Sequence, residues 1–301
     1  MGAIPYSRYV FGSLPWYSTL IVLGMALALL LCAREEKRLG LREDTTIDLA
    51  LCVIPCGIIG ARLYYVFFSW QTFASDPLSI LRVWEGGLAV YGGVIGGLLA
   101  AVVFSRARRI PLAALTDLMV PGLILAQAIG RWGNYFNMEA YGAAITNPAW
   151  QFFPAGVLIP EGGGMVWHMA TFFYESMWNL GVFAALTALR RRAYRRFDLS
   201  CWYLLLYGAG RFVIEGLRTD SLTALGGLRV SQLLSAGMCL FALGWFARHA
   251  GKKGAFTAVG ATALWALIAL LPLPLTLRHA LLAASTIVCG VILYIKTKPE
   301  A

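Results

Sequence analysis

The chain has 301 residues, of which 59% are hydrophobic and only 13% are charged, and its mean hydropathy is +0.70. This composition excludes a water-soluble domain and is typical of a membrane protein that crosses the bilayer several times. The net charge of +10 does not indicate nucleic-acid binding, because the basic residues lie in short clusters between apolar runs.

Nine apolar runs follow one another along the chain, and each is long enough, or nearly so, to cross a bilayer as a helix. We predict these helices at residues 14–33, 47–69, 88–104, 112–129, 171–189, 200–217, 230–247, 255–271 and 280–295. The first run lacks the small-residue cleavage pattern of a signal peptide, so we expect it to stay in the mature protein. The sequence therefore predicts an all-α fold, a polytopic membrane helix bundle.

Lys and Arg are unevenly distributed between the two sets of alternate loops, which predicts the orientation in the membrane. One set of loops holds 17 of these residues and the other holds six. Basic loops favour the cytoplasm, so the richer set should face inward. With nine spans, this places the N-terminus outside and the C-terminus in the cytoplasm.

Signatures of several common chemistries are missing from the sequence. The six cysteines lie in or beside apolar runs and form no Cys-x-x-Cys pair, so we predict neither a disulfide framework nor a metal site. There is no Walker loop, no Gly-x-Ser-x-Gly elbow and no Ser–His pairing at protease spacing. A site would therefore consist of arginines, tyrosines, asparagines and glutamate.

Three arginines are predicted to lie at a similar depth in the membrane. At about 1.5 Å per residue from the cytoplasmic side, Arg62 lies roughly 22 Å along the second span and Arg211 roughly 16 Å along the sixth. Arg131 follows the outward end of the fourth span. In a hydrocarbon core about 30 Å thick, these positions predict a cationic cavity open to the outer leaflet.

The segment at residues 130–142, GRWGNYFNMEAYG, directly follows the fourth span. It contains Arg131, Asn134, Asn137 and Glu139, interleaved with aromatic residues and glycines. Such polar groups are costly at the end of a membrane helix unless they bind something polar at that depth. The alternative is an interfacial loop with an aromatic belt and no ligand.

The sixth span carries a polar helix face, formed by Tyr207, Arg211, Glu215 and Arg218 at spacing i, i+4, i+8 and i+11. Glu215 can pair with either neighbouring arginine, which leaves open a role in helix packing alone. One carboxylate cannot neutralise the four arginines expected near this depth, and the surplus charge favours an anionic ligand. A guanidinium group suits a phosphate because it can donate two parallel hydrogen bonds.

Two further residues remain open between a structural and a functional role. Tyr91 is flanked by glycines at the start of the third span, where it is either a core aromatic residue or part of a site. His168 precedes the fifth span in an outer loop. A single histidine with no second one nearby is more often structural than catalytic.

These stretches closely resemble the signature of bacterial prolipoprotein diacylglyceryl transferases. Residues 130–142 carry most of the resemblance, which covers about residues 5–247. It also includes, in the expected order, Pro15-Trp16-Tyr17, Gly60-Ala61-Arg62-Leu63, Trp84-Glu85-Gly86-Gly87, His168 with Tyr174-Glu175, and Tyr207-Gly208 with Arg211-Phe212 and Glu215. An ordered match of so many uncommon residues is highly specific.

The resemblance implies an enzyme of the bacterial cytoplasmic (inner) membrane that needs no cofactor and no metal. Such an enzyme takes phosphatidylglycerol from the outer leaflet, which its active site faces. It transfers the diacylglyceryl group to the lipobox cysteine thiol of an exported prolipoprotein, the first step of bacterial lipoprotein maturation. The products are a thioether-linked lipid and glycerol 1-phosphate. The expected partners are these substrates and membrane lipid, with no nucleic acid.

The resemblance also implies roles for the matching residues. Arg131 would bind the phosphate of phosphatidylglycerol, while Asn134 and Asn137 would orient the headgroup or the loop. Arg211 would stabilise the departing phosphate, with Glu215 and Arg218 holding it in place. Tyr17 and Tyr207 would line the lipid-facing cavity. Other positions implied in substrate binding are Glu139, Gly142, Arg62, Tyr17, Arg218 and His168.

The sequence departs from the family pattern at Tyr91, where many members have the histidine of a His-Gly-Gly motif. The thiolate is the nucleophile, so the thiol proton needs an acceptor, and a neutral tyrosine is a poor base at neutral pH. We expect Tyr91 instead to donate a hydrogen bond, and we count it among the catalytic residues with Arg211, Tyr207 and Glu215. His168 is followed by Met169 where proline is usual.

The chain is also longer than the seven-span bundle that the family core resembles. We expect the transferase core at residues 1–250 and a peripheral membrane extension of two helices at residues 251–301. The extension is expected to be peripheral because its sequence suggests no buried ionisable group.

Two other functional classes remain as alternatives. A transporter or flippase for an anionic lipid would also need membrane arginines around a cavity, but it would place charged groups near the midplane with access from both faces. A non-enzymatic membrane scaffold would not need so many polar groups within the membrane. Concentration of the charges towards the outer side favours the transferase.

Overall fold

The computed structural model describes residues 7–192, 195–219 and 229–297. These residues contain nine long helices, one at each predicted position, and one short helix. In chain order the helices are α1 (Trp16–Arg38), α2 (Thr45–Phe68), α3 (Trp70–Phe73), α4 (Val90–Arg108), α5 (Leu112–Asn137), α6 (Thr171–Leu189), α7 (Asp198–Leu217), α8 (Val230–His249), α9 (Gly251–Leu270) and α10 (Leu275–Lys296).

Six of the described helices are long and apolar enough to cross a membrane, judged by length and composition: α1, α2, α4, α5, α8 and α10. Helices α6 and α7 include Glu175, Arg211 and Glu215, whose charges lower the hydropathy of these two helices. The chain is therefore a mostly helical, polytopic membrane protein.

Residues 29–119 form one of two compact units. In this unit α2 and α4 pack against each other at glycines, which allow the two backbones to approach closely. A Cβ atom at Gly60 would lie 2.5 Å from the carbonyl oxygen of Gly92, and one at Gly96 would clash with the carbonyl oxygen of Cys56. The buried apolar core of this unit consists of Leu49, Ala101, Phe104 and Leu115.

The second unit combines residues 1–28 with residues 120–301, of which 1–6, 193–194, 220–228 and 298–301 lie outside the described part. Its largest core surrounds α7, which packs against α6, α8 and α10. Lipid tails are as apolar as these side chains, so close packing rather than exclusion of water stabilises such a core. Its most deeply buried side chains are Ile124, Leu186, Leu205, Ala242 and Leu293.

The described residues also contain two β-hairpins, one before α1 and one between α5 and α6, a feature that the prediction of an all-α bundle does not include. Strand β1 (Tyr9–Phe11) pairs with β2 (Leu14–Pro15), and β3 (Gly156–Glu161) pairs with β4 (Gly164–Met169). The second hairpin turns at Gly162 and Gly163, whose φ angles of 60° and 83° suit a two-residue hairpin loop.

The C-terminal extension packs more closely than its sequence suggests. We expected no buried ionisable group in it, and this expectation is wrong, because His279 on α10 is only 8% exposed. Helix α10 also contributes Cys289, Leu293 and Tyr294 to the core around α7. The physical reason is that one face of α10 lies directly against α7 and α8.

The glycine contact between α2 and α4 predicts a position-specific loss of stability. Gly96→Ala would push the helices apart, and overpacking of this kind costs about 1–3 kcal/mol. Gly93→Ala is the matched control, because a Cβ atom there would meet no neighbour closer than 3.6 Å. We expect thermal unfolding in detergent at a lower temperature for Gly96→Ala and at an unchanged or higher one for Gly93→Ala. Equal unfolding temperatures would contradict the close contact.

Candidate active site

The polar segment at residues 130–142 begins within α5 rather than after it. The predicted helix ends at residue 129, but α5 continues to Asn137, because Gly130 and Gly133 do not interrupt its backbone hydrogen bonds. Gly133 faces Tyr17 of α1, and a Cβ atom at this position would lie 2.7 Å from the Tyr17 ring. The close contact places Tyr17 beside the polar end of α5.

The end of α5 forms a small network of amides around one carboxylate. Glu139 Oε1 accepts hydrogen bonds from Asn134 Nδ2 at 2.9 Å and from Asn137 Nδ2 at 3.2 Å. The backbone reverses here, with positive φ angles of 54° at Met138 and 57° at Ala140. The structure therefore brings together three of the predicted substrate-binding residues.

Glu175 lies at the centre of a cluster of charged side chains. Its Oε1 atom is 2.7 Å from Arg131 Nη2, and its Oε2 atom accepts a hydrogen bond of 2.9 Å from Arg211 Nη1. Arg211 Nη2 is in turn 2.7 Å from Glu215 Oε2. The cluster joins α5, α6 and α7, and its predicted members are Arg131, Arg211 and Glu215.

The cluster changes the charge balance inferred from the sequence. The sequence predicted an excess of arginines because Glu215 was the one carboxylate counted against them. Glu175 was noted in the family resemblance, but no role was predicted for it. With Glu175 included, two arginines face two carboxylates. Both carboxylates are almost fully buried, whereas the arginine side chains retain 23% exposure at Arg131 and 16% at Arg211. The accessible part of the cluster is therefore cationic.

Two hydrogen-bonded contacts hold the helices on either side of Glu175. Trp132 Nε1 on α5 donates to Ser176 Oγ at 3.1 Å, and Ser176 Oγ donates to the carbonyl oxygen of Ala128 at 2.8 Å. On the other side, Trp178 Nε1 donates to the carbonyl oxygen of Leu206 on α7 at 2.9 Å. These contacts restrict how far the three helices can move relative to the charged cluster.

Arg62 has a different environment within the unit formed by residues 29–119. Its side chain donates five hydrogen bonds of 2.7–3.4 Å to main-chain carbonyl oxygens, and it is 6% exposed as a residue. A guanidinium group has five N–H donors, so this set accounts for all of them. The Cζ atom of Arg62 also lies over the Phe73 ring, 5.0 Å from the ring centroid. The acceptors belong to Ser79, Ile80, Arg82, Gly86 and Gly87.

Three other predicted residues meet at the hairpin formed by β3 and β4. His168 Nδ1 lies 2.9 Å from the carbonyl oxygen of Gly142, and His168 Nε2 lies 2.9 Å from Glu161 Oε2. Gly142 also forms a backbone bridge with Arg218, at the end of α7. Only a glycine fits there, because a Cβ atom would lie 2.8 Å from the carbonyl oxygen of Leu217. His168 therefore links the hairpin to the segment at residues 130–142.

The two tyrosines predicted in the catalytic site lie in different units. Tyr207 on α7 stacks on Tyr203, with ring centroids 5.5 Å apart, and its hydroxyl interacts with Arg131. Tyr91 begins α4 in the unit of residues 29–119, where its ring lies 6.4 Å from that of Tyr64. Tyr91 is 36% exposed, so its side chain is not buried in the core of that unit.

Comparison with known proteins identifies a family for most of the chain. Residues 8–248 match the family model for prolipoprotein diacylglyceryl transferase. A protein of Enterococcus faecalis called phosphatidylglycerol–prolipoprotein diacylglyceryl transferase is 45% identical over 232 residues, which are 76% of this chain and 84% of that protein. Proteins of the same name from Streptococcus agalactiae serotype Ia and Bacillus cereus B4264 are 43% and 41% identical. These alignments cover 74% and 76% of this chain and 86% and 85% of the relatives. The chain therefore belongs to the prolipoprotein diacylglyceryl transferase family.

Proposed function

We propose that this protein transfers the diacylglyceryl group of phosphatidylglycerol to the lipobox cysteine of prolipoproteins. The family match over residues 8–248 and the names of the relatives support this assignment. The structural observation that carries it is the pair of partly exposed arginines, Arg131 and Arg211, held by the buried carboxylate of Glu175. Two guanidinium groups side by side suit a phosphate.

The reaction exchanges one carbon–oxygen bond for one carbon–sulfur bond. The cysteine sulfur, after losing its proton, attacks the glyceryl carbon that carries the phosphate. The bond between this carbon and the phosphate oxygen breaks, and its electron pair leaves with glycerol 1-phosphate. Negative charge therefore grows on the phosphate as the bond breaks, and positive groups already fixed beside it stabilise this transition state.

The charged cluster supports the following roles for the residues around the phosphate. Arg131 binds the phosphate of the lipid, and Arg211 stabilises the charge that develops on the leaving group. Glu215 and Glu175 keep the two guanidinium groups in place from the buried side, because they contact nitrogen atoms of these groups. An arginine without such contacts would be flexible, and its guanidinium group would not be held in the geometry that the reaction needs.

The neighbouring networks complete the proposed substrate site. Asn134, Asn137 and Glu139 present a polar surface for the glycerol headgroup. Tyr17 and Tyr207 line the lipid-facing side. Tyr91, which belongs to the unit of residues 29–119, keeps its expected role of hydrogen-bond donor. Gly142, Arg218 and His168 fix the outer end of the site through the contacts between the hairpin and α7.

Arg62 acts on substrate binding indirectly in this proposal. Direct binding of phosphate by Arg62 would break some of its five hydrogen bonds to the loop at residues 79–87. Each bond from a charged donor contributes about 1.5–3 kcal/mol. We therefore assign Arg62 to fixing this loop.

The proposed location is the bacterial cytoplasmic membrane, with nine spans and the site open to the outer leaflet. The excess of Lys and Arg in one set of loops supports this orientation. In this arrangement the N-terminus is outside and the C-terminus is in the cytoplasm. The family-like core comprises residues 1–250, and residues 251–301 are an addition to it.

The deciding experiment incubates the purified protein with phosphatidylglycerol and a synthetic lipobox peptide in detergent. Release of glycerol phosphate, together with a mass gain of one diacylglyceryl group on the peptide thiol, supports the transferase. A matching peptide with serine in place of the cysteine should gain no mass. If reconstituted protein instead moves lipid between leaflets without releasing glycerol phosphate, the protein is a flippase.

Substitution of either arginine in the charged cluster should abolish most turnover. Arg131→Ala and Arg211→Ala should each lower kcat by about 10²–10³-fold, the usual effect of removing one electrostatic donor from a transition state. Arg108→Ala is the control, because Arg108 pairs with Asp48 in the other unit. Rates are compared at equal protein concentrations, and only for variants whose cooperative thermal unfolding shows that they are folded. Near-normal turnover by either variant would remove that arginine from its role.

Neutralisation of Glu175 should affect both arginines at once. Glu175→Gln keeps the shape of the side chain but removes the charge that Arg131 and Arg211 share. Loss of one partner of a buried ion pair costs about 3–5 kcal/mol, so we expect a lower unfolding temperature and a fall in kcat of about tenfold or more. Asp48→Asn, at a partly exposed position paired with Arg108, should change neither quantity. Wild-type values for Glu175→Gln would show that the arginines are held by other contacts.

A further inference from the structure

Helix α10 lies outside the part of the chain that the family model matches. The match ends at residue 248, whereas α10 comprises Leu275–Lys296. Nevertheless α10 packs directly along α7, the helix that carries Arg211 and Glu215. An added helix thus contacts an element of the proposed active site.

One end of the contact between α10 and α7 is an aromatic cluster. Tyr294 on α10 lies between two rings, with its centroid 5.3 Å from that of Trp202 and 5.4 Å from that of Phe246. Leu293, beside it, is completely buried. Leu205 of α7 is equally buried in the same core. This end of α10 is therefore fixed to α7 and α8.

The other end of the contact is formed by His279. Its ring packs edge-on against Phe212 of α7, with centroids 5.0 Å apart. A Cβ atom at Gly216 would lie 2.7 Å from His279 Nδ1, which is closer than such atoms can approach. A larger residue at position 216 would therefore require the His279 ring or one of the two helices to move.

The contact with His279 lies next to the charged cluster along the helix. Phe212 and Gly216 immediately follow Arg211 and Glu215 in the sequence. Successive residues of a helix point about 100° apart, so α10 supports α7 on a face adjacent to the one that carries the ion pair. A shift of α7 towards or away from α10 would displace Arg211 relative to Glu175.

We propose that α10 positions α7 for catalysis and that His279 is the positioning residue at the contact with Phe212 and Gly216. This inference rests on the proposed transferase function. The added helix is then part of the machinery of this protein, although it lies beyond the family match. A displacement of about 1 Å in a catalytic group can lower a rate by about 10²-fold, so a small change at this contact has a measurable effect.

The test adds a methyl group at Gly216, which crowds the contact with His279, and then removes the His279 ring, which relieves the crowding. Turnover is measured with phosphatidylglycerol in detergent micelles and a lipobox peptide, and kcat is separated from KM for the peptide. Gly216→Ala should lower kcat by about tenfold or more at unchanged KM, and His279→Ala by about threefold. The double variant Gly216→Ala/His279→Ala should return to the kcat of His279→Ala, because removal of the ring leaves room for the added methyl group.

Matched controls separate positioning from general effects of substitution. Gly237→Ala adds a methyl group to α8 at a place with no neighbour within 4 Å. His249→Ala removes a histidine at the end of the same helix, whose Nδ1 atom lies 2.8 Å from the carbonyl oxygen of Trp245 in α8 itself. Both variants should keep the wild-type kcat. The unfolding temperature of every variant is measured in the same detergent.

Several outcomes would overturn the inference. They are a wild-type kcat for Gly216→Ala, or a double variant no more active than Gly216→Ala. If Gly216→Ala does not fold, a wild-type kcat for His279→Ala has the same meaning. Turnover by the wild-type chain distinguishes these results from failure of the proposed function, since an inactive wild-type protein would reject that function itself.

Discussion

The sharing of the Glu175 carboxylate by Arg131 and Arg211 is the interaction on which the rest of the structure depends. A buried charge without a partner is costly, and this cluster pairs its charges across three helices. The arrangement holds only while α5, α6 and α7 keep their relative positions. The contacts of Trp132 and Trp178 on either side serve this purpose.

The same requirement explains why α7 is so heavily packed. In a membrane, apolar side chains gain little by leaving lipid, so the position of a helix depends on close contacts and hydrogen bonds. Helix α7 is contacted by α6, α8 and α10, and glycine at position 216 allows α10 to come close. A helix that presents Arg211 at a fixed place needs support on its other faces.

Much of this architecture could be predicted from the sequence, but only where the signal is local. The nine apolar runs marked nine helices. The helical spacing of the sixth span offered Glu215 two arginine partners, Arg211 and Arg218, and the structure contains the pair with Arg211. The link from Arg131 to Glu175 joins residues far apart in the chain, and no spacing rule reports such a contact. The hairpin turn at Gly162 and Gly163 did carry a local signal, a pair of glycines between strand-like runs.

The three arginines that look alike in the sequence have two different environments. All five N–H donors of Arg62 form hydrogen bonds with main-chain carbonyl oxygens, so the loop that it holds satisfies its guanidinium group. Arg131 and Arg211 instead contact carboxylates from their buried sides and keep part of their surface accessible. In the proposed function, the predicted depth of an arginine in the membrane is therefore not enough to assign it to phosphate binding. The distinguishing property is the number of donors that folding leaves for a ligand, and it depends on tertiary contacts.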